Sequence, residues 1–236
     1  CGAMTQGSMG YMLERMLLNR LRFLGVEAPV ASLLTEVVVD KDDPGFANPT
    51  KPVGPFYPEF RALELMRQKK WRMKEDSGRG WRKVVPSPKP LEIVQLGAIK
   101  ALLEQGWSVI AGGGGGIPVI RDASGYLVGV EAVIDKDRLS ALLAAQLGAE
   151  LYIILTGVEK VAVDFGKPTQ VNLDRITATE ARRHLAEGQF PAGSMGPKIE
   201  SALAFIDGGG QEVLITTPEA LKSQDPTTVG TRIVRG

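Results

Sequence analysis

From residue 91 onward, short apolar runs alternate with amphipathic stretches, and a glycine or a capping residue closes nearly every one. Residues 107–111 and 151–155 have the length and composition of buried strands, and 212–216 and 231–234 of two more. Between them, residues 91–105 predict a helix ended by Gly106, and 136–147 a helix stopped by Gly148. Thr177-Ala178-Thr179-Glu180 is a capping box opening a helix to residue 187. A further helix over 197–206 has Pro197 in its first turn, and Thr217 caps a short helix with Pro218 at its first position. Residues 117–120 and 126–130 flank Asp122-Ala123-Ser124-Gly125, a hairpin signal. Strands separated by helices cannot all be joined by tight turns. The pattern implies an α/β fold, a mostly parallel sheet sandwiched between helices.

The first 90 residues differ. Met9, Met12, Leu13, Met16, Leu17, Leu21 and Leu24 form one helical stripe, closed by Gly25, and core packing is the expected fate of such a stripe. Residues 30–39 read as one strand. Residues 42–58 then hold five prolines, at 44, 49, 52, 55 and 58. Proline lacks a backbone donor and fixes φ, so neither helix nor central strand is expected there. Residues 59–74 could form a basic helix and 81–85 a strand, before Pro86, Pro88 and Pro90 stiffen the return. Residues 40–90 thus read as an excursion from the main sheet.

Composition removes several function classes. Lys and Arg total 28 against 27 Asp and Glu, a net charge of +1, so no global field selects nucleic acid or membrane. Trp71 and Trp81 lie among basic residues, but Glu75 and Asp76 interrupt the patch and argue against nucleic acid. The longest uncharged stretch, 105–120, is too short and too glycine-rich for a membrane span of about 20 residues. Residues 1–25 turn polar at once, unlike a secretory leader. One cysteine, Cys1, and one histidine, His184, leave no internal disulfide, no cysteine-built metal site and no multi-histidine centre. The expected setting is the cytoplasm.

Three segments could carry chemistry. Gly112 to Gly116 are five consecutive glycines after a strand, able to bring bare N–H groups to an anion, or simply to make a tight turn. No Gly-Lys-Ser/Thr follows them, so this is not a Walker A loop. Asp135-Lys136-Asp137 opens a helix. The acids complement its dipole, whereas the lysine opposes it unless an anionic ligand sits there. Residues 189–198 form a small-residue loop that begins a helix with Lys198 in its first turn, repeating the same logic. His184, beside Arg182 and Arg183, reads as a solvated surface residue.

Asn48-Pro-Thr-Lys-Pro-Val-Gly-Pro-Phe-Tyr57 and Lys74-Glu-Asp-Ser-Gly-Arg-Gly-Trp-Arg-Lys-Val-Val-Pro-Ser-Pro-Lys-Pro90 are similar to the proline-rich segments of the carbamate kinase family, in the same order along the chain. Residues 1–8, 112–119, 130–137, 193–198 and 230–234 are similar to it too. The two proline-rich motifs are the specific part, since other amino-acid kinases lack the excursion. The family's opening strand with a Gly-Gly-Asn loop and its His-Gly-Asn-Gly-Pro-Gln motif are not present. The expectation is therefore an N-terminally truncated carbamate kinase, poorly soluble and inactive as residues 1–236 alone.

The resemblance implies the amino acid kinase fold and reversible phosphoryl transfer between ATP and carbamate, giving ADP and carbamoyl phosphate, with Mg²⁺. In arginine fermentation the reaction runs towards ATP. Residues 1–129 would be the remnant of a carbamate-binding lobe with a lid at about 40–90, and 130–236 a nucleotide-binding lobe. Lys136 and Lys198 would flank the ATP phosphates and Asp137 would hold both ammonium groups. Replacing either lysine by Met is expected to leave unliganded stability unchanged or higher. Lys51 would reach over the substrate, and Gly113, Gly114 and Gly115 would offer N–H groups to it. Thr156, Gly157, Gly193, Ser194, Met195, Gly196 and Pro197 would border the nucleotide. No residue is assigned as a metal ligand, and a homodimer is implied. Two alternatives stay open: another amino-acid kinase acting on a carboxylate or a nucleotide monophosphate, and an inactive nucleotide-binding remnant.

Overall fold

The computed structural model describes residues 2–76, 78–191, 193–223 and 228–236. Cys1, to which the sequence assigns no disulfide, and Ala192 of the small-residue loop lie outside the described residues. The chain divides into two compact units, Cys1–Lys136 and Asp137–Gly236.

In the first unit, the strand Glu36–Val39 pairs in parallel with Ile117–Arg121 and antiparallel with Pro90–Ile93, and Leu127–Gly129 closes the sheet as a hairpin strand. Asp122 makes that hairpin turn, its Oδ1 accepting from the Ser124 and Tyr126 amides. The expected strand over 30–39 is two strands. Val30–Ser32 pairs in parallel with Ser108–Ile110 instead, because the chain breaks at Leu33–Thr35. Residues 91–93 join a strand rather than opening the expected helix, which starts at Leu96.

The proline-rich excursion is more regular than its composition suggests. A one-turn helix, Pro44–Ala47, starts there because Asp43 caps it by accepting from the Gly45 amide and Pro44 has no donor to lose. Lys51–Tyr57 is a strand at the edge of a three-stranded sheet with Trp81–Val85 and Met73–Glu75. An edge position tolerates proline, and the register breaks between Val53 and Tyr57, where Gly54 and Pro55 sit. The helix Glu59–Lys69 ends at Lys70, whose φ of 55° is left-handed. Ala62, Leu65 and Met73 form a small apolar core of this excursion, with Tyr57, Met66, Trp71 and Trp81 packed around it.

The long helix Gly2–Phe23 forms as expected, and Gly25 leaves it at φ 71°. Its stripe does not pack as expected. Gly10 is the helix's one buried residue among those described, while Met9 and Met16 are 55% and 62% exposed. Burial needs a facing apolar surface, and the described residues present none to this stripe. The helix docks instead by a polar face of i, i+4, i+8 spacing: Gln6 binds Thr35, the Gly10 carbonyl accepts from Ser32 Oγ, and Glu14 accepts from the Ser32 amide.

In the second unit, Leu151–Leu155 and Glu212–Thr216 are parallel neighbours, as are Arg175–Thr177 and Thr231–Val234, and the two pairs meet antiparallel. The helix Met195–Asp207 packs Ile199, Ala202, Phe205 and Ile206 against Val213, Ile215 and Ile233. Tyr152 meets Phe205 edge-on at 5.6 Å. Leu151–Leu155, expected to be covered on both faces, is an edge strand covered on one face only: Leu151, Ile153 and Leu155 point to the open face and are exposed, while Tyr152 and Ile154 are buried. The Thr177 capping box is present with both of its reciprocal hydrogen bonds.

Candidate active site

Each unit builds a buried or half-buried lysine–carboxylate pair from residues far apart in sequence. In the first, Lys51 opens the edge strand of the excursion and donates to Asp135. The pairing residues on either side, with Lys51 opposite Val85 and Pro52 opposite Val84, fix the backbone from which this lysine extends. Asp135 was visible only as an acid before a helix; its partner lies 84 positions away.

The same unit shapes the glycine run. Gly112, Gly113, Gly115 and Gly116 all have positive φ, a path that other L-residues avoid. A Cβ on Gly115 would lie 2.0 Å from the Ile134 carbonyl, and one on Gly113 would lie 2.6 Å from Gln6 Cγ. The loop is thus pressed between the first helix and the 134–136 segment. The Gly115 and Gly116 amides donate to the Gly112 carbonyl, and the Gly112 amide to Thr35 Oγ1. Among the described residues, Gly113 and Gly114 keep N–H groups with no protein acceptor, and both are exposed. Of the three glycines the sequence assigned to substrate, Gly115 has its N–H already engaged.

In the second unit, Lys198 Nζ donates to Asp137 Oδ2 at 3.0 Å, with side chains only 12% and 10% exposed. Both belong to first helical turns, Asp137 in Lys136–Leu147 and Lys198 in Met195–Asp207. The acid suits a helix start; the lysine does not, and the acid offsets that cost. Tyr152 Oη donates to the Asp137 carbonyl and secures this end of the helix. Lys136 immediately precedes Asp137.

The nucleotide-side expectations fall on two strand or helix ends of this unit. Thr156 follows Leu151–Leu155, and its amide donates to the Thr216 carbonyl at 2.8 Å. Gly157 beyond it is exposed. Gly193 and Ser194 are exposed and lead into Met195, Gly196 and Pro197, the first turn of Met195–Asp207. The Gly196 amide is spent on the Pro191 carbonyl, and a Cβ on Gly196 would lie 3.1 Å from that oxygen. Among the described residues, no three His, Cys, Asp or Glu side chains cluster as a metal site, and no helix is long and apolar enough to cross a membrane.

Residues 54–217 match the amino acid kinase family. Carbamate kinase of Thermococcus kodakarensis is 48% identical over 234 residues, 99% of this chain and 74% of that protein. The chain belongs to the carbamate kinase family. Carbamate kinase-like protein YahI of Escherichia coli is 49% identical over 236 residues, 100% of this chain and 74% of that protein. The structure of carbamate kinase from Giardia lamblia bound to AMP-PNP superimposes with a TM-score of 0.89 at 41% identity, covering 100% of this chain and 75% of that one. The resemblance read from the two proline-rich motifs, and the amino acid kinase fold it implied, therefore hold.

Proposed function

We propose that this protein catalyses reversible phosphoryl transfer between ATP and carbamate. The observation that carries the reading is the 48% identity to a carbamate kinase over 99% of the chain. In the direction of ATP formation, a terminal oxygen of ADP attacks the phosphorus of carbamoyl phosphate. The phosphorus–oxygen bond to the carbamoyl group breaks, and carbamate leaves as an anion without needing a proton. Such a transfer asks the protein for alignment and positive charge rather than covalent chemistry.

Lys51 and the N–H groups of Gly113 and Gly114 take the carbamoyl phosphate side in this reading. What supports it is their common unit, the half-buried position of Lys51 and the exposed, acceptor-free amides. Lys198 and Lys136 neutralise nucleotide phosphates, and Asp137 keeps Lys198 aimed before they arrive. Thr156, Gly157 and residues 193–197 border the nucleotide, since ligands of open α/β sheets gather beyond the carboxyl ends of strands. Mg²⁺ would come bound to the nucleotide phosphates and neutralise their charge, since it keeps several waters and needs few carboxylates, and Asp135 and Asp137 already face lysines. The excursion, residues 40–90, acts as a lid that keeps water from the labile acyl phosphate.

The physiological setting we propose is arginine fermentation in the cytoplasm, where ADP and ATP are available, with two chains joined as a homodimer. The exposed apolar stripe of Gly2–Phe23 supports an assembly, and size-exclusion chromatography with light scattering tests it. A second reading, a family member with another acyl phosphate as substrate, is favoured by the likeness to a protein named carbamate kinase-like. One assay separates the two. ATP formed from ADP with carbamoyl phosphate, and not with acetyl phosphate, supports carbamate; the reverse supports the second reading.

A further inference from the structure

We infer that Gln6 is a positioning residue for the glycine loop, acting through Thr35; the inference rests on the assignment of that loop to the anionic substrate. The Gln6 side-chain amide pairs with Thr35 as a neighbouring strand would. Oε1 accepts from the Thr35 amide at 2.8 Å, and Nε2 donates to the Thr35 carbonyl at 3.3 Å. That carbonyl also accepts from the Ile117 amide, where the loop ends. Thr35 Oγ1 accepts from the Gly112 amide, where the loop begins, and donates to the Leu33 carbonyl. One fully buried residue therefore pins both ends of the run, with its main chain and its hydroxyl.

The Thr35 amide needs an outside partner because Thr35 lies in the break between the strands Val30–Ser32 and Glu36–Val39. Gln6 supplies that partner from the first helix, beside the Gly10 and Glu14 contacts to Ser32. The stem of Gln6 also fills the space where Gly113 has no side chain. A shift of Gln6 would be felt at once by Gly113, one of the two glycines whose amides lack a protein acceptor.

The test compares wild type, Gln6→Met, Thr35→Val and Thr35→Ser in the complete gene product, with carbamoyl phosphate and ADP varied separately. Gln6→Met keeps the stem and removes the amide; Thr35→Val keeps the branched shape and removes the acceptor for Gly112. Each should raise KM for carbamoyl phosphate about tenfold, the loss expected for a buried hydrogen bond, while KM for ADP stays within about twofold. Thr35→Ser should restore the wild-type value. KM values that rise in parallel, or that do not move, overturn the inference. If the wild type forms no ATP, the assigned function fails, and hydrogen exchange decides the rest. Amides of residues 112–117 should then exchange faster in Gln6→Met and Thr35→Val than in wild type and Thr35→Ser, with residues 137–236 unchanged as the folding control. Equal exchange in all four proteins overturns the positioning role.

Discussion

Lys198 and Asp137 form an ion pair from two helix starts, 61 positions apart in sequence and nearly out of water. This arrangement argues against one expectation drawn from sequence. Replacing Lys198 by Met was expected to leave unliganded stability unchanged or higher, by relieving repulsion between cations. The pair instead ties Asp137 to Lys198. Lys198→Met should destabilise the protein by about 1.5–3 kcal/mol, as should Asp137→Asn, because each removes a charge-assisted hydrogen bond that is nearly out of water. The double variant should cost at least about 1 kcal/mol less than the sum of the two. Urea denaturation of the four proteins measures the cycle, and additive costs would show that the charges are uncoupled.

Lys51 is the residue proposed for the substrate side. In the complete protein, Lys51→Ala should lower turnover by about 10²–10³, the usual effect of removing one transition-state charge contact. Affinity for ADP, measured by calorimetry, should change little. A loss of ADP affinity as steep as the loss of turnover would move Lys51 to the nucleotide.

Neighbouring glycines should respond very differently to alanine. Gly115→Ala combines a positive φ of 139° with a Cβ 2.0 Å from a carbonyl oxygen, so it should cost more than about 3 kcal/mol or prevent folding. Gly114 has open space around its missing Cβ and no positive φ, so Gly114→Ala should stay within about 1 kcal/mol of wild type. Similar melting temperatures for the two variants would contradict the loop geometry.

Glu180 gives a pH test of the capping box. Hydrogen bonds from the Thr177 amide and then the Thr177 hydroxyl hold its carboxyl below the ordinary 4.5. A folded-state value below the unfolded one means that the contribution is fully present above the unfolded value. It disappears as pH falls through the folded value. The stability gap between wild type and Glu180→Gln should therefore be flat above about pH 6 and close in acid below the ordinary value. A gap that widens in acid would mean that the neutral carboxyl is the form the helix prefers.

The parts of the fold legible in the sequence are those set by neighbours along the chain. The Thr177 capping box, the Asp122 hairpin and the left-handed stop at Gly25 each need only a few adjacent residues. What depended on distant partners was lost. Leu91 and Ile93 fit a helical spacing as well as a strand, and only the pairing of Ile93 with Val37 decides it. The prolines of 42–58 excluded a central strand correctly, yet the edge strand Lys51–Tyr57 needed knowledge of where the sheet ends. In the site, the lysines stood out because each opposes a helix dipole or sits between prolines. Asp135 and Thr35 did not, since their roles come from Lys51 and Gly112, 84 and 77 positions away. Gln6 did leave a trace: Gln6, Gly10 and Glu14 recur at four-residue helical spacing, offset from the methionines. A polar stripe reads as solvated, and here it is the docking face.

The excursion leaves the main sheet at Val39 and returns at Pro90, and these two residues are cross-strand partners. Its entrance and exit are therefore neighbours, and the segment between them encloses an apolar cluster of its own. A short hairpin turn could join the same two strands with the rest of the sheet untouched. In evolutionary terms the segment is a cassette: a lineage can acquire, exchange or discard it in one event without rebuilding the scaffold.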